Sequence, residues 1–464
     1  MRQIFPKVGK FSDDFSKGWK IVTTVLLLAV AAACFWLSGR MNESLLGLRK
    51  QYRLDQADPL ENSPPLVAFT TVAIGGFRGI LADMLWIRAS TLQDEGKYFE
   101  LVQLADWITK LEPRLTEVWA FQAWNLAYNI SVFFNAPEDR WLWVRHGIEL
   151  LRDEGLRYNP GSASLCRELG WMFQHKIGAA YDEMHMVYKQ EWAREMMALF
   201  DGPRPDYAHL SAATSNRLMS VYKLNPAVME RIDHDYGPMD WRLPPAHVLY
   251  WALESRRFAS GFDAVSADRM IFQAMAEEFR KGALLFRPEE GVFALTPNLD
   301  VLPKVQAVYE KAIADHPEQD TIALAYENFM RDAVVVLFSS GRNDQARRLH
   351  DEINRRFSSE QPPTDLESFL YRSITRDATS LSRDDAVKLL EELEFQSVFW
   401  QALEENGLAG GFEQLAEISR KKTIADSGEK LPSLKEIRKS ARERVLANPP
   451  SSKARERLTP NAAT

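Results

Sequence analysis

The sequence has few of the residues that build most recognisable sites. Only two cysteines, Cys34 and Cys166, occur among 464 residues. One lies in a long apolar run and the other in a predicted helix, so they are poorly placed to pair. Cysteine usage therefore gives no support for a disulfide framework or a thiolate metal site.

Sequence motifs of common enzymes and metal sites are also missing. The eight histidines form no HExxH string, and His185 has no second histidine at helical spacing. The glycines at 75, 76 and 79 lack the lysine of a phosphate-binding loop, and no GxSxG elbow occurs. We therefore predict no catalytic residue, no cofactor and no bound metal.

An excess of positive charge is lacking as well. The formal net charge is -7, whereas a general nucleic-acid binder needs a basic face to neutralise phosphates. We therefore predict no nucleic-acid partner. The 46% hydrophobic and 26% charged residues are typical of a folded chain rather than a disordered one.

One long apolar run is present, at residues 21–37 (IVTTVLLLAVAAACFWL), between Lys20 and Arg40. With its margins it approaches the ~20 residues that cross ~30 Å of hydrocarbon as a helix. Trp19 and Trp36 stand where interfacial aromatic residues are expected. The run predicts a transmembrane anchor at residues 21–38, with the lipid bilayer as its partner.

Two other interpretations of this run are a cleaved signal peptide and a lipoprotein signal ending at Cys34. The anchor is favoured because bulky apolar residues at 35–37 prolong the run beyond the alanines. The basic tail over residues 1–20 favours a cytoplasmic N-terminus. We therefore predict a single-pass protein of the bacterial inner membrane with a periplasmic body.

A second apolar stretch, residues 66–87, contains Arg78 and Asp83. A single central charge costs about 2.5 to 3.5 kcal/mol on insertion into a bilayer. We therefore predict that this stretch is buried in the folded body rather than in the membrane.

The segment from Ala82, ADMLWIRASTLQDEGKYFELVQLADWITKLEP, has helical spacing of apolar and small residues. Ala89 and Ala105 allow two antiparallel helices to approach closely, Gly96 permits the turn between them, and Pro113 ends the second. The segment resembles the tetratricopeptide repeat, a helical hairpin of about 34 residues. Generic helical hairpins are the alternative.

The same pattern continues with Trp119 and Ala123, a partner helix over 139–158, and Leu169 with Gly170. A later match contains Gly341 and Ala346. Further helices are predicted over residues 263–286, 302–316 and 383–405, and no segment predicts a strand. The predicted fold class is all-α: an irregular array of helical hairpins that follows the anchor.

The predicted organisation has seven parts. They are a basic tail (1–20), the anchor (21–38), a juxtamembrane segment and linker (39–65), an N-terminal helical repeat block (66–200), a turn-rich connector with a helix (201–260), a C-terminal helical repeat block (261–447) and a disordered tail (448–464).

The resemblance to tetratricopeptide proteins implies a groove lined by the first helix of each hairpin. Carrying the register over places five residues in this groove: Trp86, Ser90, Gln93, Trp124 and Tyr128. Aromatic rings in a groove are effective anchors for a protein partner. The alternative for Trp124 and Tyr128 is an inter-repeat core stripe.

These features favour a non-enzymatic scaffold that mediates protein–protein interaction at the membrane, as in bacterial repeat proteins without an assigned activity. Two alternatives stay open. One is an accessory subunit of a membrane assembly that acts through its anchor helix. The other is an enzyme with an unfamiliar site near His247, which follows the turn-rich residues 236–244.

Overall fold

Helices follow one another along most of the chain that the structure describes. The structure is a computed structural model, and it describes residues 19, 22–34, 36–37, 40–41, 44, 77–356, 364–375, 381–428 and 430–459. Residues 1–69 and 70–464 form separate compact units.

The described part of the first unit includes a helical segment, residues 22–34. No helix of the described residues is both long and apolar enough to cross a membrane. The predicted anchor, 21–38, includes residues 21, 35 and 38, which lie outside the described residues, as do most of the predicted basic tail and all but a few residues of the predicted linker.

The second unit begins with helices that pair with their neighbours in sequence. They are α1 (Phe77–Asp94), α2 (Tyr98–Leu111), α3 (Thr116–Trp124), α4 (Pro137–Glu149), α5 (Leu156–Tyr158), α6 (Ala163–Trp171) and α7 (His185–Met197). Turns of π-helix, Asn125–Ile130, Leu150–Gly155 and Met172–Gly178, extend α3, α4 and α6, and a 3-10 turn, Ser131–Phe133, follows the first of them. Helix α1 packs on α2, α3 packs on α4, and α6 packs on α3.

The small residues predicted at the first hairpin have the expected roles. Ala89 and Ala105 are buried between α1 and α2, and Gly96 forms the turn with a φ of 70°, a conformation that favours glycine. In the next hairpin, Gly147 of α4 lies against the backbone of α3: a Cβ at this position would be 2.7 Å from the carbonyl oxygen of Ala123.

The apolar stretch at residues 66–87 differs from the prediction over its described part. Ile80, Met84 and Ile87 of α1 are 54%, 63% and 68% exposed, so burial was the wrong prediction for these three side chains. Helix α1 is the first described helix of this unit, and its buried side chains pack on α2 and α3, which leaves these three side chains exposed.

The middle of the chain continues the helical packing. It contains a 3-10 turn (Tyr207–His209), α8 (Ala212–Arg217) with a π-helical turn (Leu218–Tyr222), α9 (Pro226–Asp235), α10 (Pro244–Phe258) and α11 (Phe262–Lys281). Helix α10 begins at Pro244 and packs on both α6 and α11. The predicted connector is part of the core, because Trp241 is fully buried and belongs to the main hydrophobic cluster.

A β-hairpin follows α11 and corrects two predictions. Strands β1 (Ala283–Arg287) and β2 (Val292–Thr296) are antiparallel and are joined by a 3-10 turn, Pro288–Glu290. The helix predicted over 263–286 therefore ends at Lys281, and the prediction that no segment forms a strand is wrong here. Leu284 packs with Leu243 of the preceding connector, while Val292 packs with Trp400, so the hairpin is stabilised by distant residues.

The C-terminal part is helical again. A 3-10 turn, Leu299–Val301, precedes α12 (Leu302–Asp315), α13 (Asp320–Ser339), α14 (Asn343–Arg356), α15 (Leu366–Ile374), α16 (Arg383–Ala402), α17 (Asn406–Ser427), α18 (Leu434–Ala447) and α19 (Ser452–Leu458). The predicted disordered tail over 448–464 differs from the structure at α19. Leu458 there is buried with Val398 and Val445, and an apolar contact of this kind stabilises a short terminal helix.

Candidate functional site

Two pairs of aromatic side chains lie side by side on α3 and α6 and on the π-helical turns that follow them. Trp124 stacks on Tyr128, with ring centroids 4.9 Å apart. Trp171 stacks on His175, with centroids 4.8 Å apart. The pairs are joined by Tyr128, whose hydroxyl oxygen is 3.1 Å from Nδ1 of His175. Trp124 and Trp171 are 38% and 39% exposed, so their rings are accessible to a ligand.

Both pairs depend on π-helical turns. The turn Asn125–Ile130 begins directly after Trp124 and carries Tyr128, and the turn Met172–Gly178 begins directly after Trp171 and carries His175. Such turns are rare in proteins and are frequent at functional sites, because they displace side chains from the ordinary helical register.

The Tyr128–His175 pair is neutral near neutral pH. Burial and the carboxylate of Glu168 raise the pKa of the Tyr128 phenol. Burial and the nearby ammonium of Lys176 lower the pKa of the His175 imidazole. The phenol and Nδ1 of His175 therefore share one hydrogen bond between two neutral groups, and the tautomer of the imidazole sets its direction.

Tyr181 adds a fifth ring from the loop between α6 and α7. It stacks on His175 with centroids 5.0 Å apart and is 83% exposed. We call Trp124, Tyr128, Trp171, His175 and Tyr181 the aromatic groove.

The loop that carries Tyr181 is fixed by Asp182. Its carboxylate accepts hydrogen bonds from Nζ of Lys176 at 2.6 Å, from the hydroxyl of Tyr188 at 3.1 Å and from the backbone N–H of Met184 at 2.9 Å. Arg140 lies 3.5 Å from the same carboxylate. Lys176 and Asp182 are largely buried, so they hold each other in place.

Two cavities adjoin the groove and share His175 and Tyr181. The smaller, of about 460 Å³, is lined also by Tyr128, Val132, Arg140, Lys176, Asp182 and Glu183. The larger, of about 510 Å³, is bounded by α6, α7, α10, α11 and β2. Its walls combine the rings of Trp171 and Phe173 with aliphatic side chains. A cavity of this size and composition is typical of a ligand site.

The larger cavity also contains titratable groups. Lys189, Lys281, His175 and Glu277 line it. Burial lowers the pKa of Lys189 to about 8, with a smaller effect from the charge of Lys281.

His247 lies behind the cavity wall rather than in it. The side chain is fully buried and stacks on Phe173, which does line the cavity, with centroids 5.0 Å apart. Its Nε2 is 2.8 Å from the carbonyl oxygen of Trp241, and burial lowers its pKa to about 4. The titratable groups that line the cavity are therefore Lys189, Lys281, His175 and Glu277. His247, near which the sequence predicted the alternative enzyme site, is not among them.

The five residues that the sequence predicted to line one groove do not all lie together in the structure. Trp124 and Tyr128 belong to the aromatic groove. Trp86 packs on Phe121 instead, with centroids 5.0 Å apart, in a separate cluster between α1, α2 and α3. Ser90 is exposed and Gln93 is half-buried on α1.

Sequence reasoning missed Trp171, His175, Tyr181 and Lys189. The sequence did contain a signal for Trp171 and His175, namely their spacing from the preceding pair. Tyr128 and His175 are 47 residues apart, and the same interval separates Trp124 from Trp171. A small residue, Ala123 or Gly170, precedes each tryptophan. Extending the repeat count by one hairpin would have found both. Tyr181 and Lys189 had no such signal, because their positions depend on the loop at 179–184.

Neither the protein-family models nor the curated proteins include a match to this chain. The interpretation of the groove therefore depends on its geometry.

Proposed function

We propose that this chain is a membrane-anchored helical-repeat scaffold, similar to tetratricopeptide proteins, that binds a protein partner in the aromatic groove. The observation that supports the proposal is the continuous row of rings from Trp124 to Tyr181, which adjoins two cavities. Trp and Tyr dominate the binding energy of many protein interfaces, since they bury a large area at low entropic cost.

The rings are already held in place before a partner binds. Trp124 rests on Tyr128, and Tyr128 is hydrogen-bonded to His175. The loop carrying Tyr181 is held by Asp182. An ordered surface loses less conformational entropy on binding, which increases affinity. A partner segment with apolar or aromatic side chains, spaced to enter the two cavities, suits this surface.

The anchor is part of the proposal and is supported by the uncharged run at residues 21–37. In this account the run holds the body at the bacterial inner membrane, on the periplasmic side. Membrane fractionation of the full chain and of a chain without residues 1–38 tests the anchor. Recovery of the full chain in the soluble fraction would contradict it.

The partner is tested by photo-crosslinking in living cells. A photoreactive amino acid replaces Tyr181 in one variant and Phe262 in a control, because Phe262 is 79% exposed and lies outside the groove. Mass spectrometry should find a protein attached at position 181 and not at position 262. The same attachment at both positions, or none at position 181, would contradict the groove proposal.

Replacement of residues 21–38 by an unrelated transmembrane helix separates the scaffold from the accessory-subunit alternative. The scaffold proposal predicts that the crosslink at position 181 persists. Its loss would favour a protein that acts through its anchor helix.

A further inference from the structure

The larger cavity contains a buried positive charge that lacks an acidic partner. Lys189 is 4% exposed. Among the described residues, no carboxylate pairs with its ammonium, and the carboxylate that influences it, Glu277, lies beyond ion-pair distance. Because a buried charge is costly unless paired, this arrangement calls for an anion.

The hydrogen bonds of Lys189 leave room for one more. Nζ donates to the carbonyl oxygen of Ile177 at 2.7 Å and lies 2.9 Å from Nδ1 of His185. Burial and the charges of Lys189 and Lys281 lower the pKa of His185, so its ring is neutral and Nδ1 accepts a hydrogen bond from the ammonium. An ammonium has three N–H groups, and the third is left for a molecule in the cavity.

The rest of the cavity is suited to an apolar body. Trp171, Phe173, Val248 and Leu295 form its walls, and the volume of about 510 Å³ is ample for a small organic molecule. Glu277 is the one acid among the described lining residues, against the two lysines. An apolar body with a single negative charge matches this lining.

We propose that this cavity binds a small aromatic or branched aliphatic carboxylic acid. The carboxylate accepts a hydrogen bond from Nζ of Lys189, and the apolar body packs between Trp171 and Phe173. This site is separate from partner binding along the groove, although Trp171, His175 and Tyr181 belong to both surfaces.

The test uses the full-length protein and two probes of equal shape, 2-hydroxy-3-phenylpropanoate and its neutral amide, 2-hydroxy-3-phenylpropanamide. Binding is measured by isothermal titration calorimetry. The acid should bind about tenfold to a hundredfold more tightly than the amide, as expected for a hydrogen bond to a charged group. Equal affinities, or no binding of the acid, would overturn the proposal.

Substitution identifies the lysine involved. Lys189→Met keeps the buried stem but removes the charge, and it should reduce the affinity for the acid to that for the amide. Lys281→Met is the matched control: its side chain also lines the cavity but is exposed, and the expected loss is below about threefold because exposed charges are screened. A larger loss from Lys281→Met than from Lys189→Met would overturn the assignment to Lys189.

Two further measurements separate this site from its surroundings. Affinity for the acid should fall as the pH rises above about 8, where Lys189 loses its proton, and this dependence should disappear in Lys189→Met. The other titratable groups near the ammonium are His185, Lys281 and Glu277, and they remain in that variant.

Trp124→Ala should leave acid binding unchanged, since Trp124 does not line the cavity. Loss of acid binding in Trp124→Ala would overturn the separation of this site from the groove.

Discussion

Trp171 and His175 stack almost in parallel, with ring centroids 4.8 Å apart and ring planes inclined by 11°. The same four-residue spacing, tryptophan first and followed by a π-helical turn, occurs one hairpin earlier at Trp124 and Tyr128. Because the second ring of each pair is hydrogen-bonded to the other, two successive hairpins present one continuous surface. Two similar local structures thus supply four of the five rings of the aromatic groove.

The carboxylate of Asp182 should be essential for the loop that carries Tyr181. Asp182→Ala leaves Lys176 buried without its partner, and we expect a loss of about 3 to 5 kcal/mol in the free energy of unfolding. Urea titration followed by tryptophan fluorescence measures it. Asp206→Ala is the control: this carboxylate is exposed and pairs with the exposed His209, so its loss should be much smaller than that of Asp182→Ala. Similar losses in the two variants would contradict the role given to Asp182.

The contact between α3 and α4 at Gly147 is predicted to exclude any larger residue. In Gly147→Ala the new Cβ would be 2.7 Å from the carbonyl oxygen of Ala123, so the helices must separate. We expect a loss of about 1 to 3 kcal/mol in unfolding free energy. In Gly410→Ala, which has no atom within 4 Å of the new Cβ in the described structure, we expect a gain of up to about 1 kcal/mol. A gain in both variants would show that the two helices tolerate separation.

The first hairpins could be predicted because their determinants are local. The close approach of α1 and α2 is encoded by Ala89, Ala105 and the turn residue Gly96, all within one helical hairpin. The β-hairpin could not be predicted, since its apolar residues follow a long helix directly and pack with Leu243 and Trp400 far away in sequence. Local propensity does not contain that information.

The groove was predictable only in part for a similar reason. The spacing of Trp124 and Tyr128 places them on one helical face. The contact of Tyr128 with His175 depends on two π-helical turns, which the helical periodicity of 3.6 residues does not reveal. The position of Tyr181 depends on ion pairs of Asp182 with Lys176 and Arg140, which join separate helices.

His247 should make stability depend on pH. Its pKa falls from the ordinary 6.5 to about 4 in the folded chain, so below pH 6.5 the unfolded chain binds a proton that the folded chain does not. Stability is therefore fully present above pH 6.5 and decreases as the pH falls toward about 4, by about 3 kcal/mol in all. His247→Gln should remove this contribution. The difference in unfolding free energy between the wild type and the variant, measured at pH 7.5 and 4.5, should change by most of that amount. A constant difference would contradict the prediction.

Glu278 should have the opposite dependence on pH. Burial raises its pKa well above 4.5, and the side-chain amide of Asn298 donates a hydrogen bond to its Oε1 at 2.9 Å. The folded chain keeps the proton that the unfolded chain loses above pH 4.5, so stability decreases as the pH rises toward the folded pKa. Glu278→Gln cannot ionise and should gain stability relative to the wild type as the pH increases from 5 to 8. Thermal unfolding at a series of pH values measures this, and parallel curves for the two proteins would exclude an ionisable Glu278 as the cause.

Partner capture by variants of the groove itself tests the scaffold most directly. Trp124→Ala and Trp171→Ala are introduced together into the chain that carries the photoreactive residue at position 181, and Leu324→Ala, at a 58% exposed side chain on α13, is introduced as the control. Circular dichroism and urea titration confirm that each protein is folded. If the rings bind the partner, the amount of crosslinked product falls at least about tenfold in the double variant and is unchanged in the control. The reason is that each aromatic anchor contributes about 1 kcal/mol or more at an interface, so the two together contribute about 2 kcal/mol. Undiminished crosslinking in a folded double variant would contradict the central claim.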